Sequence, residues 1–460
     1  MSSSSGWLAV RAPFSVEGAH ESARLKVTTE MAAYLPMEAP ETAGFWDCAL
    51  GGRLWRQGDF MRLWVGQTVS EAGTQVSQLA VPTVAILLLH ATPFQVGLLT
   101  ALEFLPFPIL GLVAGVYADR LRRRPLMIAS DIGRMVALVT IPIAFSLGLL
   151  RMEQLYLVGL VVGVFNVFFG VSYQSYLPAL IDRADLVEGN SKLEVSRSTA
   201  QLAGPAIAGA AIQAIGAARA VYIDAASFLV SAASLWLIKK PEPEPSPGSA
   251  SGKTGFWHEM WEGIQVVIGN PTLWKIAGCT ATFNLGSNMA FAVLLIFLYR
   301  YLHLAPALVG LVFAIGAAGA LLGAVATGPI VARLGVGLTL FLSSLMGGLF
   351  MATVLAGYTN APVFLSILFF VEFLLGAPYN ITQVSLRQAI TPDRVQGRMN
   401  ATMRTIVWGT IPIGSLLGGI LAGVIGVAPT IVLGGLITML SAGWILAGPI
   451  RIKVQPEPVG

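Results

Sequence analysis

The chain has 460 residues, of which 55% are hydrophobic and only 11% charged, against about 25% charged residues in soluble domains. So little charge cannot clothe a large water-facing surface, so lipid must cover much of it. A formal net charge of +4 implies no nucleic-acid role. Cys48 and Cys279 are too isolated for a disulfide framework, and there is no metal motif. His20, His90, His258 and His303 are dispersed, and no nucleotide-binding loop is present. A cofactor, an enzyme's reactive cluster and direct ATP coupling are therefore not expected.

Residues 1–58 mix Ser, Ala, Pro and Glu without an apolar run beside a cleavage site. They predict a mostly disordered cytoplasmic tail, not a signal peptide. A helix crosses the hydrocarbon with about 20 apolar residues. Twelve such segments follow, at 60–89, 94–118, 126–149, 153–180, 190–215, 219–238, 268–301, 306–332, 336–357, 361–388, 396–425 and 428–450. Short loops make neighbours antiparallel. The runs are too long for barrel strands, so helices must satisfy the backbone in lipid.

The stretch from Gly115 to Pro125 lies between the second and third spans. Gly115 permits close helix approach, and Asp119, Arg120, Arg123 and Arg124 form a charged hinge outside the lipid. Asp131 and Arg134, three apart on one helix face, read as a gate network with this loop or as a static pair. Span five carries Gly204-Pro205 and Gly209. The proline bends the helix, and the small residues allow tight contact. In span six, Asp224 could pair with Arg219.

The longest internal loop begins at Lys239. Its Pro-Glu repeats and Gly-Ser piece are linker chemistry and separate six spans from six. A short helix follows, in which Phe256, Trp257, Met260, Trp261 and Ile264 recur at helical spacing. It either lies along the inner membrane face or extends the next span. The predicted organisation is a tail (1–58), a six-helix bundle (59–238), a linker with interfacial helix (239–267), a second bundle (268–450) and a tail (451–460).

The halves resemble each other. Val96-Gly97-Leu98 recurs as Val309-Gly310-Leu311, and the same offset carries Gly115 to Gly328 and Arg120 to Arg333. Asp185-Leu-Val-Glu-Gly189 aligns with Asp393-Arg-Val-Gln-Gly397. Two motifs in one order argue for duplication. Lysine and arginine concentrate in the loops on the tail side, whereas the opposite loops hold Arg151, Arg219 and Arg300. That bias places both termini in the cytoplasm.

These features resemble the major facilitator superfamily. Within it the chain is similar to the branch of macrolide-efflux and enterobactin-export proteins, through Trp64-Val-Gly-Gln67, Leu105-Pro106 and Ile223-Asp224-Ala-Ala-Ser227-Phe228. The resemblance implies an all-α integral membrane protein with twelve transmembrane helices in two pseudo-symmetric six-helix bundles, with substrate near the midplane between repeats. Gly204-Pro205 with Gly209 is similar to the antiporter motif of drug exporters. At Arg122 the loop departs from the usual glycine, and Asn166 stands where the superfamily's span-four arginine is absent.

A charge at the bilayer centre costs on the order of 3 kcal/mol, so intramembrane carboxylates need a reason. Glu103, Glu71 and Glu372, in that order, are the candidates for loading a proton on one side and releasing it on the other. Cavity walls are sought among mid-depth polar residues: Gln75 and Gln78, Asn166, Tyr173 and Gln174, Asn284 and Asn288, and Tyr379, Asn380 and Gln383. Each could instead be a helix–helix hydrogen bond. Together they predict a mostly apolar cavity for an amphiphilic organic molecule.

The expected function is proton-coupled export of amphiphilic drug-, macrolide- or siderophore-type compounds by a monomer in the plasma (inner) membrane. The partners are a small-molecule substrate, protons and lipid. Import or lipid transport by the same fold is the alternative; a scaffold or membrane enzyme is the alternative from another class.

Overall fold

The computed structural model describes residues 52–111, 121–242, 256–448 and 452, apart from the side chains of 256–260 and 393. Among these residues every regular element is helical. In chain order they are α1 (Gly58–Thr83), α2 (Pro93–Gly111), α3 (Arg123–Ser146), α4 (Met152–Leu180), α5 (Leu186–Ile215) and α6 (Ala217–Trp236). Then come the short α7 (Phe256–Gly269), α8 (Pro271–Tyr301), α9 (Pro306–Leu334), α10 (Val336–Tyr358), α11 (Ala361–Ala389), α12 (Asp393–Ile425) and α13 (Val427–Leu446).

Ten of these helices are long and apolar enough to cross a membrane. The remaining long ones, α1 and α5, run for 26 and 30 residues, so they too can span. They are more polar because α1 carries Gln67, Thr68, Ser70 and Glu71, and α5 carries Glu188, Lys192, Glu194 and Arg197. The twelve predicted spans fit this arrangement, each boundary lying within a few residues wherever it is described. Apolar residues such as Ile207, Val325, Ile367 and Val424 stand exposed on the outside, where a membrane would cover them.

Local chemistry explains the breaks. Thr92 and Gln95 make a capping box at the start of α2, with Pro93 in its first turn. Gly216, Gly335 and Gly426, with φ of 85°, 79° and 92°, turn the chain between α5 and α6, α9 and α10, and α12 and α13. Asn270 accepts hydrogen bonds from the amides of Thr272 and Leu273 at 2.9 and 3.3 Å. That cap separates α7 from α8. The short helix is therefore not an extension of the next span. It packs on α12, with Gly263 against the Arg398 carbonyl and Glu262 paired to Arg398 at 2.6 Å.

The duplication is visible in the backbone. α1 runs into a π turn at Val84–Leu88, and α8 ends in one at Phe297–Tyr301. Each is followed by a histidine at φ 51°, His90 and His303, related by the offset that takes Val96 to Val309. The closing bonds match too: Ala91 N to Ala85 O at 2.9 Å and Leu304 N to Leu298 O at 3.0 Å.

α1–α6 and α8–α13 pack as two sets that meet through α2 with α12 and α5 with α9. At the end bearing His90 and His303, one continuous apolar core runs through both sets, from Val84 and Ala208 to Val293 and Ile431. At the opposite end the sets keep separate cores. One contains Phe60, Met127 and Leu180; the other contains Leu273, Leu386 and Met399. The molecule is thus closed at one end and parted at the other.

Candidate transport cavity

Paired glycines build the closed end. Gly209 of α5 lies against the Pro306 carbonyl and Gly310 of α9, while Gly310 lies against the Pro205 carbonyl and Gly209. The second pair repeats this across α2 and α12: Gly97 meets the Ser415 carbonyl and Gly419, and Gly419 meets the Pro93 carbonyl and Gly97. A side chain at these positions would collide with backbone, so only glycine lets the helices come this close. Polar ties accompany them. Thr83 and Tyr299 share a buried hydrogen bond of 3.0 Å, Arg300 donates to the Ile86 carbonyl at 2.9 Å, and the Ala307 amide donates to Gln213 at 3.2 Å.

Toward the parted end lies a cavity of about 630 Å³ between the two sets. Glu71, Phe107, Asn166, Gln174 and Arg197 line one side, and Asn400, Arg404 and Trp408 the other. Its aromatic wall joins the halves: Trp408 stacks on Phe107 with centroids 4.3 Å apart. A recess adjoins it, lined by Glu71, Tyr173, Gln174, Asn190, Glu194 and Arg197. Arg197 grips Glu194 through two hydrogen bonds of 2.8 and 3.1 Å.

Of the predicted wall residues, Asn166 and Gln174 line the cavity and Tyr173 the recess. The others occupy different settings. Gln75 packs on Gly204, and Gln78 is exposed. Asn288 donates to the Asn284 carbonyl at 2.8 Å, with its Cβ against Gly414. Tyr379 is buried, bonded to Thr280 at 2.8 Å and stacked on Phe283. Gln383 is buried and accepts from Arg387 at 3.3 Å, and Asn380 is exposed. The cavity is also more charged than predicted. Sequence reading passed over Arg197, Asn400, Arg404, Trp408 and Phe107. The signal for three of them was legible, since Asn400, Arg404 and Trp408 recur every four residues and share one helix face.

The three intramembrane carboxylates are far from equivalent. Glu71 faces the cavity. Glu103 sits between α2 and α4, where its carbonyl meets Gly163. Glu372 belongs to α11, with one carboxylate oxygen enclosed and without a hydrogen-bond partner among the described residues.

Gly115, Asp119 and Arg120 lie outside the described residues. Arg124 donates to the carbonyls of Leu235 and Trp236 at 2.8 and 2.5 Å. Glu242 accepts from the amides of Arg123 and Arg124 at 2.7 and 3.1 Å and so caps the start of α3. Replacing Glu242 by Ala is expected to cost about 1 kcal/mol, read as a lower unfolding midpoint of the detergent-solubilised protein; an unchanged midpoint would show the cap to be dispensable.

Asp131 and Arg134 pair with each other, and their further partners lie inside the bundle. Arg134 donates to Asn166 at 2.9 Å, and its guanidinium lies over the rings of Phe169 and Phe228 at 4.3 and 4.1 Å. Asp224 is buried and accepts from Ser227 at 3.1 Å, so Ser227 holds it, not Arg219.

Residues 54–455 match the transmembrane secretion effector family of major facilitator transporters. Among curated relatives, the MFS-type transporter YfiS of Bacillus subtilis is 28% identical over 382 residues, covering 81% of this chain and 88% of that protein. The enterobactin exporter EntS of Citrobacter koseri is 25% identical over 407 residues, covering 87% and 94%. Among solved structures, a bacterial homologue of the iron transporter ferroportin in its inward-facing state superposes with a TM-score of 0.69 at 17% identity, covering 86% of this chain and 99% of that one. The outward-facing state of a bacterial ferroportin homologue gives 0.55 at 16% identity, covering 85% and 98%. With the family matched across nearly the whole chain and the fold shared, the protein is a multi-pass membrane transporter of the major facilitator superfamily, belonging to its transmembrane secretion effector family.

Proposed function

We propose that this transporter is a proton-driven exporter of amphiphilic small molecules, acting by alternating access as a monomer in the plasma membrane with both termini cytoplasmic. The observation that carries the reading is the cavity between the halves, sealed at one end and walled by Glu71. Export is the activity named for the enterobactin-exporting relative. The described arginines and lysines of the basic loops, such as Arg124, Lys240 and Arg398, lie at the parted end, which by the positive-inside rule supports a cytoplasmic opening. Substrate then enters from the cell interior, and rocking of the halves about the glycine contacts would expose it outside.

The position of Glu71 on the cavity wall supports it as the coupling carboxylate ahead of Glu103. A proton and a substrate compete for it only if both reach it, and the cavity gives both that access. The test is efflux of a dye panel from cells lacking their own exporters, with and without a protonophore. Protonophore-sensitive extrusion is expected, lost in Glu71→Gln and kept at about half or more of the parent rate in Glu103→Gln. Extrusion that ignores the protonophore would overturn proton coupling. Loss in Glu103→Gln alone would move the coupling site to α2.

A further inference from the structure

The cavity's charges are divided between its walls. On the α1–α6 side, Arg197 makes both of its hydrogen bonds to Glu194 and acts on Glu71 only through space, which leaves that wall one carboxylate in excess. On the α12 side stands Arg404. Among the described residues, neither Glu71 nor Arg404 has a hydrogen bond or ion pair with the protein. The walls therefore face each other as one net negative and one net positive group. Beside Arg404, one helical turn further along α12, Trp408 and Phe107 present a stacked aromatic surface.

Each charge left without a protein partner is a ready site for the opposite charge on a ligand, because a charge-assisted hydrogen bond is about twice as strong as a neutral one. A purely cationic ligand would satisfy Glu71 and meet Arg404 as a like charge; a purely anionic one would do the reverse. Like-charge juxtaposition is the stronger discriminator in a confined site. A ligand carrying both charges, separated along its length, satisfies both walls at once. The aromatic surface adds preference for a planar or apolar body between the charges.

We propose that the cavity selects zwitterionic amphiphiles with separated charges, peptide-like in kind: the cationic end on Glu71, the anionic end on Arg404, the ring against Trp408 and Phe107. This rests on the reading that the cavity is the transport site and specifies its substrate class. It also fits exchange with protons, since an ammonium group and a proton would compete for the same carboxylate.

The test is equilibrium binding to the purified protein in lipid nanodiscs, by calorimetry, with three forms of one tripeptide, alanyl-tryptophanyl-alanine. With free ends it is a zwitterion, N-acetylated an anion and C-amidated a cation. The free peptide is expected to bind about tenfold tighter than either blocked form, the worth of one charge-assisted bond. Glu71→Gln should weaken the free and amidated peptides about tenfold and spare the acetylated one. Arg404→Gln should weaken the free and acetylated peptides about tenfold and spare the amidated one. Equal affinities for the three forms, no saturable binding of the free peptide, or a variant that weakens all three alike would overturn the proposal. Binding is read without any proton gradient. A failed efflux test therefore leaves this result standing, and a failed binding test leaves proton-driven export untouched.

Discussion

Leucine in place of Gly209 is expected to cut transport by more than tenfold while the protein still inserts in the membrane. At the closed end, a Cβ on Gly209 would fall on the Pro306 carbonyl and on Gly310. These are backbone atoms, which cannot swing aside as a side-chain tip can. Overpacking typically costs about 1–3 kcal/mol, and rigid backbone neighbours on two sides put this site at the upper end. About 3 kcal/mol spent in only one of two alternating states moves their ratio about a hundredfold. The state in which α5 and α9 touch would be depleted, and a cycle that must pass through it would stall. The same argument applies to Gly97→Leu through Gly419 and the Ser415 carbonyl. A cysteine at Thr83, which is buried at the closed end, reports the shift. In a background free of Cys48 and Cys279, a membrane-impermeant maleimide should label Thr83→Cys slowly in the parent and rapidly with Gly209→Leu. Unchanged labelling with normal efflux would show that the closed end tolerates the bulk and does not gate the cycle.

Those glycines show how far the sequence could be read. Gly209 stood out because the Gly-Pro motif resembles that of drug exporters, and Gly97 and Gly310 lay in the repeated Val-Gly-Leu triplets. What no single stretch could reveal is that they face each other in crossed pairs, because that contact joins helices from opposite halves. The spans were legible for a simpler reason. Lipid demands about 20 apolar residues wherever a helix crosses, so hydropathy alone places the ends of most helices. The matched π turns before His90 and His303 were not legible, since a π turn is a hydrogen-bond shift that leaves composition unchanged.

The cavity was read least well, and the reason is physical. Mid-depth polar residues were ranked by residue type, and amides satisfy one another across helices as readily as they face a ligand. Tyr379 and Gln383 did so, with Thr280 and Arg387. Lysine and arginine were weighed only where they flank the spans, so Arg197 and Arg404 were passed over. Yet Arg197 begins well inside α5 and Arg404 well inside α12, where the parted halves leave a cavity; there Arg197 holds Glu194, and Arg404 has no carboxylate partner among the described residues.

The repeated motif that opens α5 and α12 found a role that neither the resemblance nor the spacing implied. In α5, Arg53 pairs with Asp185 at 2.6 Å and the Leu54 amide donates to Glu188 at 3.0 Å. In α12, Glu262 of α7 pairs with Arg394 of the motif at 3.9 Å and with Arg398, the residue after it, at 2.6 Å. The segment before the first helix of each half thus holds the start of its fifth, with the signs of the charges exchanged. α5 and α12 are also the helices that carry Gly209 and Gly419 at the closed end, so each is tied at its start and packed on the other half near its finish.

Loss of the Arg134 charge is expected to give the largest change in stability. Its side chain is 6% exposed, and that of Asp131 is fully enclosed. The guanidinium ties three helices, through Asp131 on its own α3, Asn166 and Phe169 on α4 and Phe228 on α6. Arg134→Met keeps much of the volume but strands the Asp131 carboxylate in an apolar interior. Breaking a buried pair from one side costs about 3–5 kcal/mol, far more than the pair's net worth, because the remaining charge has lost its compensation. Removing both charges in Asp131→Asn with Arg134→Met should therefore recover most of the loss. Thermal unfolding of the purified protein in detergent measures each corner of this double-mutant cycle. A large deficit in the single variant with recovery in the double one identifies the pair as a mutually compensated tie within one half. If the double variant is as unstable as the single, the stabilising element is the cation itself, held between its two rings, and Asp131 is secondary. If both variants are stable yet transport is lost, the pair belongs to the moving parts of the cycle, because a tie needed only in passage between states contributes to rate without contributing to the resting fold.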